Sequence, residues 1–343
     1  MSSEPLAPNP GPAPQRRAGV NRSDKIGSLM VLPGQLLMIF IVLFPAAVAI
    51  YIGFTEWSPL EGSTFWRAYN DWHWFSGYWE AFQSTEFWTA VWRTVLITVV
   101  CTVVEGVLGF ILAMLLVKDF RGRGLVMVYF LLPMMVVPAV SGFIFQMLFQ
   151  VDGPINGMLS FVVPSGDVQL QWLTDPSLAI WGVMLADIWQ WTPLMFLIFL
   201  SGLVALPEDQ MNAARILGAG FRPQFTRLVI PMMRPILLIA VIIRAMEVFK
   251  LFDPIYIMTQ GGPGTATQNL SIYLYRLTNV SGRWGYACAV ALLVLIALSI
   301  VAKQAIKPIE RAQDESMEEL MAAGADEVPV ERIEDAIDAG ARA

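Results

Sequence analysis

Residues 207–235 read PEDQMNAARILGAGFRPQFTRLVIPMMRP, the longest polar break between the apolar runs of the second half of the chain. Pro207 suits a first helical position, and Glu208 and Asp209 suit the positive end of a helix dipole. The stretch therefore predicts a short helix running to about Leu217. Gly218 and Gly220 supply its stop, and Pro223, Pro231 and Pro235 punctuate the residues beyond it. Ala213, Ala214, Gly218 and Ala219 leave so little side-chain bulk that another backbone or groove could approach closely. Two readings fit these residues: a helix resting on a membrane surface, or one gripped by a partner.

Composition decides where such a helix sits. Hydrophobic residues make up 56% of the 343, charged residues 15%, and mean hydropathy is +0.58. Soluble domains hold roughly 45–50% apolar and about 25% charged residues, so this is an integral membrane chain. The net charge of −6 says little about partners, because acidic residues gather at one end; no nucleic acid is expected among them. Cys101 and Cys288 lie inside apolar runs and read as small buried hydrophobes rather than a disulfide or metal pair. His73, the only histidine, excludes a histidine-rich metal site and a serine triad within this chain. A membrane enzyme would need a nucleophile and base that the sequence does not pair. No G-x-x-x-x-G-K-[ST] phosphate loop occurs, so no ATP site of that kind and no bound cofactor is expected here.

Taken in order, residues 1–28 are rich in Pro, Ser, Gly and Ala, carry Arg16, Arg17, Arg22 and Lys25, and read as a disordered tail. The run 29–54 exceeds the roughly 20 residues that cross a bilayer. Ala47-Val48-Ala49 resembles a signal-peptidase site, but the apolar run continues past it and the preceding region is long, so the run is read as a retained span. Residues 55–90 hold Trp57, Trp66, Trp72, Trp74, Trp79 and Trp88. An aromatic belt at the membrane interface explains them; contact with a carbohydrate or a docked protein is the other reading. Further spans are expected at 91–117, 125–150, 177–203, 235–258 and 285–306. Pro133 and Pro138 should kink or break the third. Residues 307–343 carry 11 acidic residues and read as a solvated tail, with some helix near 315–322.

Most of the 22 lysines and arginines fall in the two tails and in the loops at 118–124 and 204–234, whereas the opposite loops hold only Arg67, Arg276 and Arg283. The positive-inside rule then puts both termini and the helix of the central loop in the cytoplasm. The expected fold is an all-α integral membrane protein: six transmembrane helices over 29–306, with a cytoplasmic helix between spans four and five.

Ionisable residues inside a span cost a few kcal/mol and face a partner or a water-filled path. Arg244, Glu247, Lys250 and Asp253 alternate in sign at spacing three on span five, so each can pair with the next. Pairing and lining a translocation path are both open to them. Asp187, Gln190 and Trp191 share a face of span four, and Glu105 of span two could join them. Carboxylate, amide and indole together suit a polyhydroxylated solute; interhelical hydrogen bonding is the competing role. The candidate substrate residues are thus Asp187, Gln190, Trp191, Glu105, Arg244 and Glu247.

Asn212-Ala213-Ala214, Gly218-Ala219, Phe225, Pro231 and Pro235 resemble the glutamate-alanine-alanine loop of ABC importer permeases. DIWQWTP at 187–193, FKLFDPIY at 249–256 and TQGGP at 259–263 are similar to carbohydrate importer permeases of the maltose and glycerol-phosphate type. The likeness covers most of 30–306. It implies a coupling helix that docks into a cytoplasmic ATPase, with Asn212, Ala213, Ala214, Arg215, Gly218, Ala219 and Arg222 as the coupling residues. It also implies a second homologous permease, two ATPase subunits using ATP and magnesium, an external solute-binding protein, and alternating access in the cell membrane. Two positions depart from the pattern: the usual glutamate falls at Asn212 and a frequent aspartate at Leu217, so the charge contact is either missing or replaced through Arg215 or Arg222. Gly261-Gly262-Pro263 marks the external turn near which the family's binding protein docks, though a tight turn needs no partner. The rival is an ion-coupled secondary transporter with the membrane charges as relay, although the repeats of such folds are not visible.

Overall fold

The computed structural model describes residues 22–62, 64–163 and 168–326; of the tails expected at 1–28 and 307–343, residues 1–21 and 327–343 lie outside them. The chain divides into two units, the first ending at Tyr51 and the second running from Ile52. The described part of the first is most of α1 (Arg22–Gly53), which begins inside the stretch read as a tail and whose apolar part is Met30–Gly53.

The second unit is built almost wholly of helices. After short 3-10 turns at Pro59–Glu61 and Phe65–Asp71 come α2 (Ser76–Gln83) and α3 (Thr85–Leu116). Span two thus starts six residues before its expected bound, because Ser84 caps it: its hydroxyl accepts from Phe87 N at 3.2 Å. The third span is broken, as its prolines require. α4 (Arg123–Leu131) gives way to a 3-10 turn at Pro133–Met135, and α5 (Pro138–Leu148) leaves at 96°. Both prolines open a new segment, where their missing N–H costs nothing. α6 (Pro154–Val162) follows, then α7 (Pro176–Val204), close to the expected fourth span.

Between spans four and five lie α8 (Glu208–Ile216) and α9 (Phe221–Gln224), which runs through a π-helical segment, Phe225–Val229, into α10 (Ile230–Phe249). The expected bounds of span five, 235–258, need correction. The apolar helix covers Phe221–Phe249, and α11 (Asp253–Thr259) is separate, with Pro254 in its first turn, where the missing N–H costs nothing. α12 (Leu270–Asn279) precedes α13 (Trp284–Asp326), whose apolar part is Trp284–Gln304. α13 continues unbroken past Gln304, where the sequence predicts only a local helix near 315–322. Among the described residues, five helices are long and apolar enough to cross a membrane, and the bent pair α4–α5 makes a sixth.

Glycines set the closest approaches. A Cβ on Gly109 of α3 would lie 2.8 Å from Met195 Cβ and Phe196 N of α7. One on Gly202 of α7 would meet Met233 Sδ of α10 at 2.9 Å. Small residues at such points let helices pack without a hydrophobic driving force in lipid. One core cluster gathers Ala113, Met195, Phe196 and Met233; another gathers Ile97, Phe149, Met184 and Ile255. The buried charges fall between these two clusters along α3, α7 and α10.

Candidate functional site

Glu105 of α3, Asp187 of α7 and Arg244 of α10 form one buried ion triad. Their side chains are 0%, 0% and 2% exposed. Arg244 donates through Nε to Glu105 Oε2, through Nη2 to Glu105 Oε1 at 2.9 Å, and through Nη2 to Asp187 Oδ2 at 2.5 Å. The Trp191 ring centroid lies 5.2 Å from the guanidinium carbon, a cation–π contact. Spacing along the helices produces this arrangement: Asp187 and Trp191 are one turn apart on α7, and Glu105 lies one turn before the close approach at Gly109. Cys101 Sγ shares the site, within 4.8 Å of carboxylate oxygens of both Glu105 and Asp187. Arg244 is the cation those carboxylates hold.

Four of the six expected substrate residues are therefore brought together. Gln190, also fully buried, faces elsewhere and donates to the backbone carbonyl of Val136 at 2.6 Å. Val136 caps the 3-10 turn at the break of span three, where no helical N–H reaches its carbonyl; Gln190 supplies the donor that lipid cannot. Glu247 lies apart from the triad, half-exposed, and pairs with Lys250 at 2.9 Å. The alternating ladder on span five is thus corrected. Glu247 and Lys250 pair as expected, but Arg244 turns to two other helices and Asp253 opens the separate α11.

Asn269 and Gln268 escape a reading of the sequence. Asn269 Nδ2 donates to Leu251 O at 2.5 Å, satisfying a carbonyl freed between α10 and α11, while its Oδ1 caps α12 through Ile272 N. Gln268 links Glu86 and Arg276 at 2.9 and 2.7 Å. An amide followed by an apolar helical run is the only sequence signal either residue gives.

A cavity of about 490 Å³ lies at the bend of span three, walled by Leu108, Tyr129, Pro133, Leu185, Trp189 and Pro193 among others. Thr192 contributes a hydroxyl already bonded to Ile188 O. The walls offer a polar solute almost nothing to bond.

The α8 segment is the most accessible of the expected sites. Glu208 rather than Pro207 opens it, Pro207 being the extended residue before it. Its end is a Schellman motif: Gly218 has φ +78°, Gly218 N donates to Arg215 O and Ala219 N to Ala214 O, both at 3.0 Å. Gly218 is the residue type that tolerates this left-handed turn. Asn212 accepts from Arg215 Nη1 at 3.2 Å, and Gln224 closes back on Ala219 O. Arg222 sits in the first turn of α9. Ala213 is exposed and Ala214 half-buried. Ile216, Leu217 and Phe221 are 85%, 86% and 72% exposed, an apolar tip on an otherwise polar loop.

Helices long enough to cross a membrane, with a short exposed helix between the fourth and fifth spans, define a multi-pass membrane protein. Residues 105–312 match the family described as binding-protein-dependent transport system inner membrane component, and the chain belongs to that family. It is 29% identical over 282 residues to the trehalose/maltose transport system permease protein of Thermococcus litoralis, covering 80% of this chain and 90% of that one. It is 32% identical over 277 residues to a probable ABC transporter permease of Sinorhizobium fredii, covering 80% and 86%. Its fold matches a chain of a bacterial ABC transporter involved in the import of the acidic polysaccharide alginate, with TM-score 0.72 and 19% identity over 84% of this chain and 96% of that chain. The chain is thus a non-catalytic permease subunit of an ABC importer, and the ion-gradient reading gives way.

Proposed function

We propose that this permease carries a sugar, polyol or related carbohydrate across the cell membrane by alternating access, driven by ATP that partner ATPases bind with magnesium. The relatives' names support the solute class: trehalose/maltose for one, trehalose for another, sulfoquinovosyl glycerol for a third. A solved relative of the same fold is in complex with a periplasmic protein holding an alginate pentasaccharide, which supports an external binding protein as partner. The full assembly in this reading has a second homologous permease and two cytoplasmic ATPases, with both termini and α8 on the ATPase side.

The observation that carries the coupling role is continuity. The exposed tip at Ile216 and Leu217 leads through Gly218 into one helix, Phe221–Phe249, that bears Arg244. Movement imposed on α8 reaches the three-helix junction along that helix. Asn212 and Leu217 give the tip an apolar and amide character, so its docking rests on shape and apolar contact with Arg215 and Arg222 at the margin. Trp191, half-buried, and Glu247, exposed, are the members of the expected cluster open to a solute; Arg244, with Glu105 and Asp187, stands behind Trp191 alone.

Replacing Gly218 tests the coupling role. A Cβ there meets nothing within 4 Å in this chain, so alanine costs only the left-handed backbone, about 1–2 kcal/mol. Leucine adds bulk at the docking face alone. Gly218→Leu is expected to abolish ATP-driven uptake with insertion intact, and Gly218→Ala to retain much of it. Equal uptake by the two variants would remove α8 from the docking surface.

A further inference from the structure

The ion pairs of the triad leave one oxygen over. Of the four carboxylate oxygens, three accept from Arg244, but Asp187 Oδ1 has no hydrogen-bond partner although the residue is fully buried. Two ionised carboxylates beside one guanidinium would leave a net negative charge at the centre of the bundle. Such a charge is expensive in a low-dielectric interior, and two carboxylates this close do not both ionise without a second cation. The titratable groups facing Asp187 are Arg244 from α10 and Glu105 and Cys101 from α3. Arg244 is the only cation among them, and it is already shared.

We propose that the triad is a proton-binding site, with one proton held on Oδ1 of Asp187. The proton makes the unit neutral: Arg244 positive, Glu105 negative, Asp187 uncharged. It also turns the orphaned oxygen into a donor, in a cluster where a carboxylate oxygen of Glu105, one of Asp187 and Cys101 Sγ lie within 4.8 Å of one another. Glu105 remains the ionised partner because both its oxygens accept from the guanidinium in a bidentate pair, the geometry that suits a carboxylate. This assignment is independent of the solute and of the coupling role.

Infrared spectroscopy of the purified importer in lipid nanodiscs tests it. Among the described residues Glu105 and Asp187 are the only buried carboxyl groups, so a protonated one should give a carboxylic C=O band, slow to shift in heavy water. Selective ¹³C-labelling of aspartate should move that band down, and Asp187→Asn, which supplies an amide N–H₂ where the proton sat, should remove it while preserving assembly. Glu105→Gln should also remove it, because Asp187 then ionises to pair with Arg244. The absence of the band in the wild-type protein, a band indifferent to the aspartate label, or one that survives Asp187→Asn would overturn the proposal. The first two readings need no variant to fold.

Discussion

Arg244 grips both oxygens of Glu105, a residue 139 positions earlier in the chain, and with the same Nη2 reaches Asp187 on a third helix. One side chain thus fixes the relative placement of α3, α7 and α10. Removing it would leave two carboxyls buried with no cation, which breaks a buried pair at a cost of about 3–5 kcal/mol. Arg244→Met should therefore lower the thermal unfolding midpoint in detergent sharply. Adding Glu105→Gln and Asp187→Asn should recover a large part of the loss, since a neutral cluster no longer needs the arginine. An Arg244→Met protein as stable as the wild type would show that the triad is not a structural pin.

The α3–α7 contact at Gly109 should be as sensitive as the triad. Gly109→Ala places a methyl 2.8 Å from Met195 Cβ and from a backbone nitrogen, an overpacking expected to cost about 1–3 kcal/mol. Gly157→Ala on α6 meets nothing within 4 Å and should be neutral or slightly stabilising, as alanine favours a helix. Melting of the two variants side by side checks the contrast.

Gln190 offers a separate test. Gln190→Leu would strand the Val136 carbonyl at the break of span three, a loss of about 1–3 kcal/mol, whereas Gln190→Glu cannot donate unless protonated. Both should destabilise the bent pair, read as faster hydrogen exchange around Pro138. Unchanged exchange in both would leave the break supported by packing alone.

Asp175 caps α7 by accepting from Ser177 N at 2.8 Å and Ser177 Oγ at 2.6 Å, and the Ser177 bonds hold its carboxyl below the ordinary aspartate range. A depressed folded value means that the cap's contribution is present above the ordinary aspartate range and is lost as pH falls through the folded value. Amide exchange at the start of α7 should accelerate on that acidification in the wild type. Asp175→Asn, which keeps an acceptor but does not titrate, should show no such step.

Much of the fold is legible because lipid imposes a simple rule. Runs of apolar residues long enough to cross appear as helices, and Pro133 and Pro138 announce the break of span three. Gly218 announces the end of α8 through its backbone freedom, a local property. Hydropathy misjudges span five at both ends, and at the far end for a tertiary reason: the apolar run continues through Asp253-Pro254, but the helix stops at Lys250 and the freed Leu251 carbonyl is met by Asn269 from another segment. The triad is half legible. Spacing puts Asp187 and Trp191 on one face and makes Glu105 a candidate partner, but on sequence alone Arg244 pairs most simply with Glu247. Only the crossing of three helices turns it toward Glu105 and Asp187.

If this chain works as one permease of an ATP-driven importer, gripped by an ATPase at residues 207–220, then Ala214 must lie against that partner in the native membrane. A photocrosslinking residue at Ala214, activated in native membranes and followed by mild solubilisation and mass spectrometry, reads this contact. The expected result is an adduct with a cytoplasmic ATPase, together with co-purification of a second six-span permease and a solute-binding protein. Recovery of this chain alone, with position 214 attached to lipid or to nothing, would rule that assembly out.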